Sequence, residues 1–313
     1  MRYDCSAPPD ESSSFPSFFF LYFCPDPLQV LGDTFAKRPV IAAVAEMKDR
    51  LDQYSWPAVY NRFKDRIESF DDDGDDTVMG YMIAMRERRT YAERVITQLG
   101  IKHKIIDAIT PSDLSIVDYA AMSDTLDPRN NMMYLKPTKL PVSLSFFMTF
   151  FDAFLHQHGA ILVLEDDVKF DTSVADIKSI LDEFMAEPEC QVLYLGYCLP
   201  YPSCEYIQQG SKKLSDNLYL IPKESHLSCL HSIALKKRAI NHFMRQVEDH
   251  MYHVGPSDVQ LIWYFNKYQV NRCIAPVSLM SQDWISHGSY NMNENAHLPT
   301  CQMSPTVTTI STN

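Results

Sequence analysis

The chain has 313 residues, and 28 Lys and Arg against 40 Asp and Glu give it a formal net charge of −12. That balance, with no basic run longer than a triplet, excludes a general nucleic-acid binder, which grips phosphates with clustered cations. An apolar share of 46% and an aromatic share of 12% belong to a globular protein with a substantial core rather than to a disordered chain.

In chain order, residues 1 to about 30 are rich in Ser, Pro and Phe without a consistent period, the texture of an irregular lead. Its apolar stretch, Phe15 to Cys24, is interrupted by Pro16 and flanked by Asp4, Asp10, Glu11 and Asp26. The stretch is too short to span about 30 Å of hydrocarbon and too acidic in its flanks for a secretory signal. The expectation is a cytoplasmic chain with no transmembrane segment. From Val40 to Phe70 apolar residues recur at three and four, which predicts two helices on either side of Pro57. The run Asp71, Asp72, Asp73, Gly74, Asp75, Asp76 then breaks all periodicity and reads as a linker, since the later bidentate Glu of an EF-hand loop is absent.

After the linker, short apolar runs alternate with amphipathic stretches, the pattern of an α/β layer fold. Strands are predicted at Val78 to Met85, His103 to Ile109, Ala160 to Leu164, Gln191 to Leu195, Leu218 to Ile221, Cys229 to Leu235 and Val270 to Ala275. Between them come a helix from Arg89 to Leu99 stopped by Gly100, an apolar helix from Ser143 to His158, and a helix faced by Val174, Ile177, Ile180, Leu181 and Phe184. Two more follow, one faced by Ile240 to Met251 and one opened by Ser257. The tail beyond about residue 292 is polar and reads as loosely ordered.

Only nine glycines occur, none close enough to another for a GxGxxG, a GxxxxGK phosphate loop or a GxSxG nucleophile elbow. No HExxH is present, so a zincin-type metal helix is excluded. The eight cysteines form no CxxC. Cys190, Cys198 and Cys204 are near enough in sequence for a disulfide or a metal corner, but scattered free thiols in a reducing compartment are the expectation.

The residues that demand explanation are Glu165, Asp166 and Asp167, three adjacent carboxylates at the end of a buried strand. Ligands of open α/β sheets bind outside the carboxyl ends of the strands, and a divalent cation there relieves the mutual repulsion. Hard oxygen ligands suit Mg²⁺ or Mn²⁺. A surface turn with its acids in solvent is the alternative.

The segment Gly159 to Phe170, GAILVLEDDVKF, resembles the acidic signature of glycosyltransferase family 25, the lipooligosaccharide and procollagen galactosyltransferases. The order around it is similar too. Met82 to Arg94 resembles the family's first strand and arginine-rich helix start, and Lys104 to Ala108 its next strand. Leu144 and Ser145 match the Leu-Ser of its helix, with Phe146 where the family continues to His, and PSDVQL at Pro256 to Leu261 resembles its Pro-x-Asp segment. The resemblance implies a GT-A-like (Rossmann-like) nucleotide-sugar-binding domain over residues 78–292. A partly helical N-terminal extension would cover 1–77 and a loose tail 293–313.

It also implies a chemistry: transfer of a sugar from a nucleotide sugar, a UDP-hexose, to a glycan, lipid-linked or protein acceptor, with inversion. Asp167 and Glu165 would bind Mn²⁺ or Mg²⁺, and Asp166 would face the nucleotide ribose or orient its neighbours. Arg86 would meet the diphosphate, or else lie on a helix surface. His287 is a further candidate metal ligand, with a solvent-exposed loop histidine as the alternative. Inversion needs a general base on the face opposite the leaving group, and Asp258 is the candidate, its alternative being a first-turn acid favoured by the helix dipole. Two other classes compete: a degenerate fold that binds only a glycan or partner, and a metal-dependent phosphohydrolase drawing on Asp107 and Asp258.

Overall fold

The computed structural model describes residues 56–68, 77–115, 118, 139–201, 203–248, 257–283 and 303. The helix expected before Trp56, the acidic run 71–76 and His287 lie outside them. The chain divides into two compact units. The smaller includes the described residues 56–59, 109–115, 118 and 139–144. Its clearest local feature is a 3₁₀ turn, Pro111–Asp113, closed by a capping box in which the Thr110 N–H and hydroxyl both donate to the Asp113 carboxylate. The larger unit takes in 60–108, 145–249 and the described residues from 257 onward.

The larger unit is built on an eight-stranded mixed sheet. Its strands are β1 (Val78–Ala84), β2 (His103–Asp107), β3 (Ala160–Glu165), β5 (Val192–Tyr201), β6 (Lys212–Lys213), β7 (Tyr219–Leu220), β8 (His226–Lys236) and β9 (Arg272–Ile274), in the order β2-β1-β3-β8-β5-β9-β7-β6. β1 pairs in parallel with both β2 and β3, and β5 with β9. β8 runs antiparallel between β3 and β5, so an interior strand is reversed. A separate two-stranded sheet joins β4 (Val168–Phe170) to β10 (Met280–Gln282).

Period-two burial gives the large sheet two apolar faces. Met82, Ala84, Leu162, Leu164, Leu193 and Ala234 pack with Ala92, Val95 and Ile96 of α2 (Arg89–Gln98) and with Ile177, Ile180, Leu181 and Phe184 of α4 (Val174–Ala186). Tyr81 points the other way, to α3 (Lys139–His156). On that side Phe147 of α3 stacks on Phe243 of α6 (Lys237–Glu248), and Tyr264 of α7 (Ser257–Lys267) meets Phe243 edge-on.

Most elements fall where the sequence puts them, and the exceptions have local causes. Pro57 occupies the first turn of α1 (Trp56–Phe63), where its missing N–H costs nothing, and the helix expected before it lies outside the described residues. Gly100 stops α2 as expected, in the left-handed conformation at φ +59. α3 ends earlier than expected, with Gln157 rather than Gly159 turning left-handed at φ 57. β4, β10, β6 and α5 (Cys204–Gly210) are absent from the sequence reading because runs this short carry no measurable period. β5 continues past Leu195 to Tyr201 through register shifts beyond Tyr194.

The expectation of free thiols is corrected. Cys190 and Cys273, 83 residues apart, are joined by a disulfide with Cα atoms 5.9 Å apart, and Cys204 is disulfide-bonded as well. Cys190 and Cys273 meet because β5 and β9 are parallel neighbours, a proximity that sequence spacing does not reveal. Residues 60–68 precede the expected boundary at 77 and still belong to the larger unit: Ile67 bridges to Ile106, and the Arg66 guanidinium donates to the Ala108 carbonyl. Met303, in the expected loose tail, is buried and its N–H donates to the Pro276 carbonyl at 2.6 Å.

Candidate functional site

The acidic triplet sits at the carboxyl end of β3, an interior strand, where Glu165 is the last strand residue and Asp166 and Asp167 form the turn into β4. Parallel pairing of Ile83 with Glu165 brings the end of β1 alongside. The Met85 N–H then donates to Asp166 at 2.7 Å, and Arg88, in the 3₁₀ turn Arg86–Arg88, donates to its other oxygen at 3.1 Å. From the opposite side β10 pairs antiparallel with β4, Gln282 facing Val168. The Gln282 amide donates to Glu165 at 3.1 Å and, more distantly, to Asp167 at 3.4 and 3.5 Å. The Asp283 N–H closes on the Asp167 carbonyl at 2.5 Å.

The electrostatics separate the three acids. Asp166 and Asp167 are only 7% and 6% exposed, against the alternative of a surface turn with its acids in solvent. Burial is the main cause of a raised Asp166 carboxyl, with the Met85 N–H and Arg88 working against it. Burial and then the neighbouring Asp166 charge push Asp167 up to about 6, although Arg88 and Gln282 oppose the shift. Tyr91, whose hydroxyl donates to the Val168 carbonyl at 3.3 Å, has its phenol raised by burial and then by the Asp283 and Asp167 carboxylates. Asp283 therefore belongs to the same patch of negative charge.

Among the other sequence candidates, Arg86 is exposed at the start of its 3₁₀ turn, and it is Arg88 that reaches the triplet. Arg89 pairs instead with Asp107 and Glu68, so Asp107 is engaged at the end of β2. Asp258 occupies the second position of α7. The sequence reading preferred Arg86 to Arg88 among the neighbouring arginines, and it missed Gln282 and Asp283. A three-residue strand more than a hundred positions downstream carries no local sign that it will return to the triplet.

A second polar cluster lies on the face of the sheet beneath α3. Asp152 accepts hydrogen bonds from Tyr81 at 2.6 Å, Tyr60 at 2.7 Å and Lys104 at 2.9 Å, and Lys104 and Asp152 are both 2% exposed. The His158 ring lies 3.1 Å from the Tyr81 hydroxyl. Burial alone would raise the Asp152 carboxyl, but Lys104, Tyr81 and Tyr60 together hold it below the usual range. Asp152, His156 and His158 place one ligand atom each within 4.8 Å of one another, a spacing compatible with a divalent metal. The Asp152 oxygens, however, are already taken by an ammonium and two phenols, and a dication beside Lys104 would meet like charge. This cluster is read as structural.

A cavity of about 740 Å³ is lined by Lys237, Arg238, His242, Arg245 and Tyr268 among others. It lies at the opposite end of the sheet from the triplet, because Lys236 pairs with Ala160 at the start of β3, and it contains none of the acids.

No family model matches the chain, and no curated protein matches it. Among solved structures it is similar to the apo form of mouse xyloside xylosyltransferase 1, with 13% identity and a TM-score of 0.28 over 69% of this chain and 78% of that one. A likeness of that size leaves function to be argued from the residues. Among the described residues no helix is long and apolar enough to cross a membrane.

Proposed function

We propose that the chain is a metal-dependent glycosyltransferase of the family 25, GT-A-like kind, transferring a hexose from a UDP-sugar to a glycan, lipid-linked or protein acceptor. The observation that carries this reading is the buried acidic triplet at the carboxyl end of an interior strand, with the Asp167 charge incompletely compensated by its protein neighbours. The donor set fits a hard dication, since Glu165 and Asp167 offer carboxylate oxygens close to one amide. Those two residues would hold Mn²⁺ or Mg²⁺, with His287 as a further candidate. When bound, the cation offsets the negative charge that develops on the departing nucleoside diphosphate.

The remaining work falls to the chain's own groups. Asp166, pinned by the Met85 N–H and Arg88, fixes the turn that presents its two neighbours. Arg86, exposed in the same 3₁₀ turn as Arg88, is the guanidinium for the donor's phosphates. Asp258, near the start of α7, is the base for the acceptor hydroxyl in an inverting transfer.

The test is a thermal-shift series of nucleoside diphosphates and nucleotide sugars with Mn²⁺, Mg²⁺ or EDTA. A ligand that binds only the native state must raise its melting temperature. UDP with Mn²⁺ is expected to stabilise the parent, EDTA to remove the shift, and Asp167→Asn to abolish both the shift and sugar transfer. No response to any nucleotide would sink the proposal and favour a fold that only binds a glycan or partner.

The Cys190–Cys273 pair supports an oxidising compartment as the place of action, in place of the expected reducing one. Peptide mapping of the native protein under non-reducing conditions should recover the linked peptides. Free thiols at both positions would restore the cytoplasmic reading.

A further inference from the structure

We propose that Gln282 is the positioning residue of the acidic site, its amide drawing Glu165 and Asp167 towards one point so that the site's affinity for a divalent cation depends on it. The inference rests on the reading of Glu165 and Asp167 as cation ligands. Two carboxylates two positions apart, Glu165 at the strand end and Asp167 in the turn, repel each other. The Gln282 Nε2 is what they share, 3.1 Å from Glu165 and 3.4 Å from the nearer Asp167 oxygen.

Gln282 has little freedom of its own. β10 is clamped to β4 by the pairs Met280 with Phe170, Ser281 with Lys169 and Gln282 with Val168. The Ser281 hydroxyl donates to Asp171 at 3.0 Å, and the Asp283 N–H donates to the Asp167 carbonyl. The strand is tied to the large sheet as well, because the Leu279 N–H donates to the Leu195 carbonyl at 2.8 Å. At the next residue, Gly196, a Cβ would collide with the Met280 carbonyl, the His231 ring and the Ser232 hydroxyl. The absence of a side chain at 196 lets β10 lie close enough for Gln282 to reach the acids.

The chemistry of the side chain suits the task. An amide is uncharged, so it draws the carboxylates together through its N–H groups without neutralising them, and it carries an oxygen that tolerates a cation nearby. A lysine here would cancel the charge that attracts the metal, and an apolar residue would leave the carboxylates to diverge. Groups that orient metal ligands typically contribute ten- to a hundred-fold to metal affinity.

The experiment titrates the full-length protein with Mn²⁺ alone, without nucleotide, following the electron paramagnetic resonance signal of free Mn²⁺. Gln282→Leu is expected to weaken binding by roughly tenfold or more with an unchanged circular dichroism spectrum. Gln282→Lys is expected to abolish Mn²⁺ binding while raising the melting temperature in EDTA, because its ammonium takes the place of the cation. A purely structural role moves affinity and melting temperature in the same direction, whereas the positioning role moves them apart. Should Gln282→Leu fail to fold, Gln282→Asn carries the test, because it keeps an uncharged amide but shortens its reach and is expected to weaken Mn²⁺ binding where a merely tolerated amide would leave it parent-like. Parent-like affinity in the Gln282 variants, alongside loss of binding in Asp167→Asn, overturns the positioning role and leaves the cation site standing. A parent that binds no Mn²⁺ overturns both.

Discussion

Asp152 and Asp167 are buried to a similar depth in the same unit, yet their surroundings treat their charge in opposite ways. Around Asp152 the protein supplies a buried ammonium and two phenols, and the carboxyl is held below its ordinary range. Around Asp167 it supplies another carboxylate, a more distant guanidinium and a long contact to an amide, and the carboxyl is pushed up to about 6. Burying a charge without full compensation costs stability, and such groups are concentrated at functional sites. The cluster that satisfies itself reads as architecture; the one that does not is where the proposed cation would bind.

The largest expected effect comes from breaking the self-satisfied cluster. Lys104→Met leaves Asp152 buried without its cation and should cost about 3–5 kcal/mol, measured by urea unfolding. Asp167→Asn, which removes an unfavourable buried charge, should change stability by less than about 1 kcal/mol or increase it. Equal and large losses at both positions would erase the distinction between the two clusters.

A smaller effect is expected from pH. The Asp152 carboxyl is depressed in the folded state, so its stabilising contribution is complete above the unfolded value of about 3.9 and is lost as pH falls below it. Acid unfolding followed by circular dichroism should therefore steepen below about pH 4 in the parent and be shallower in Asp152→Asn. An identical acid limb in the two proteins would show that the network does not hold the carboxyl down.

The sequence made the core strands and helices of the larger unit legible because their signals are local. Ala160 to Leu164 is an unbroken apolar run, Ile177, Ile180, Leu181 and Phe184 share one helical face, and Gly100 marks a helix end. The triplet Glu165, Asp166 and Asp167 was legible for the same reason. Three charges placed directly after a buried strand are conspicuous without any knowledge of what lies opposite.

What only the tertiary structure decided are meetings between distant segments. Gln282 reaches Glu165 across 117 positions, Lys104 finds Asp152 across 48, and Cys190 joins Cys273 across 83. Each partner is unremarkable within its own stretch of chain: a glutamine in a three-residue strand, a lysine inside a predicted strand, a cysteine among eight. Strand pairing and the packing of α3 on the sheet set these encounters, and register is fixed by how whole faces pack rather than by neighbours in sequence. The residue types were in the sequence from the start, but which of them share a charge was settled when the strands found their order.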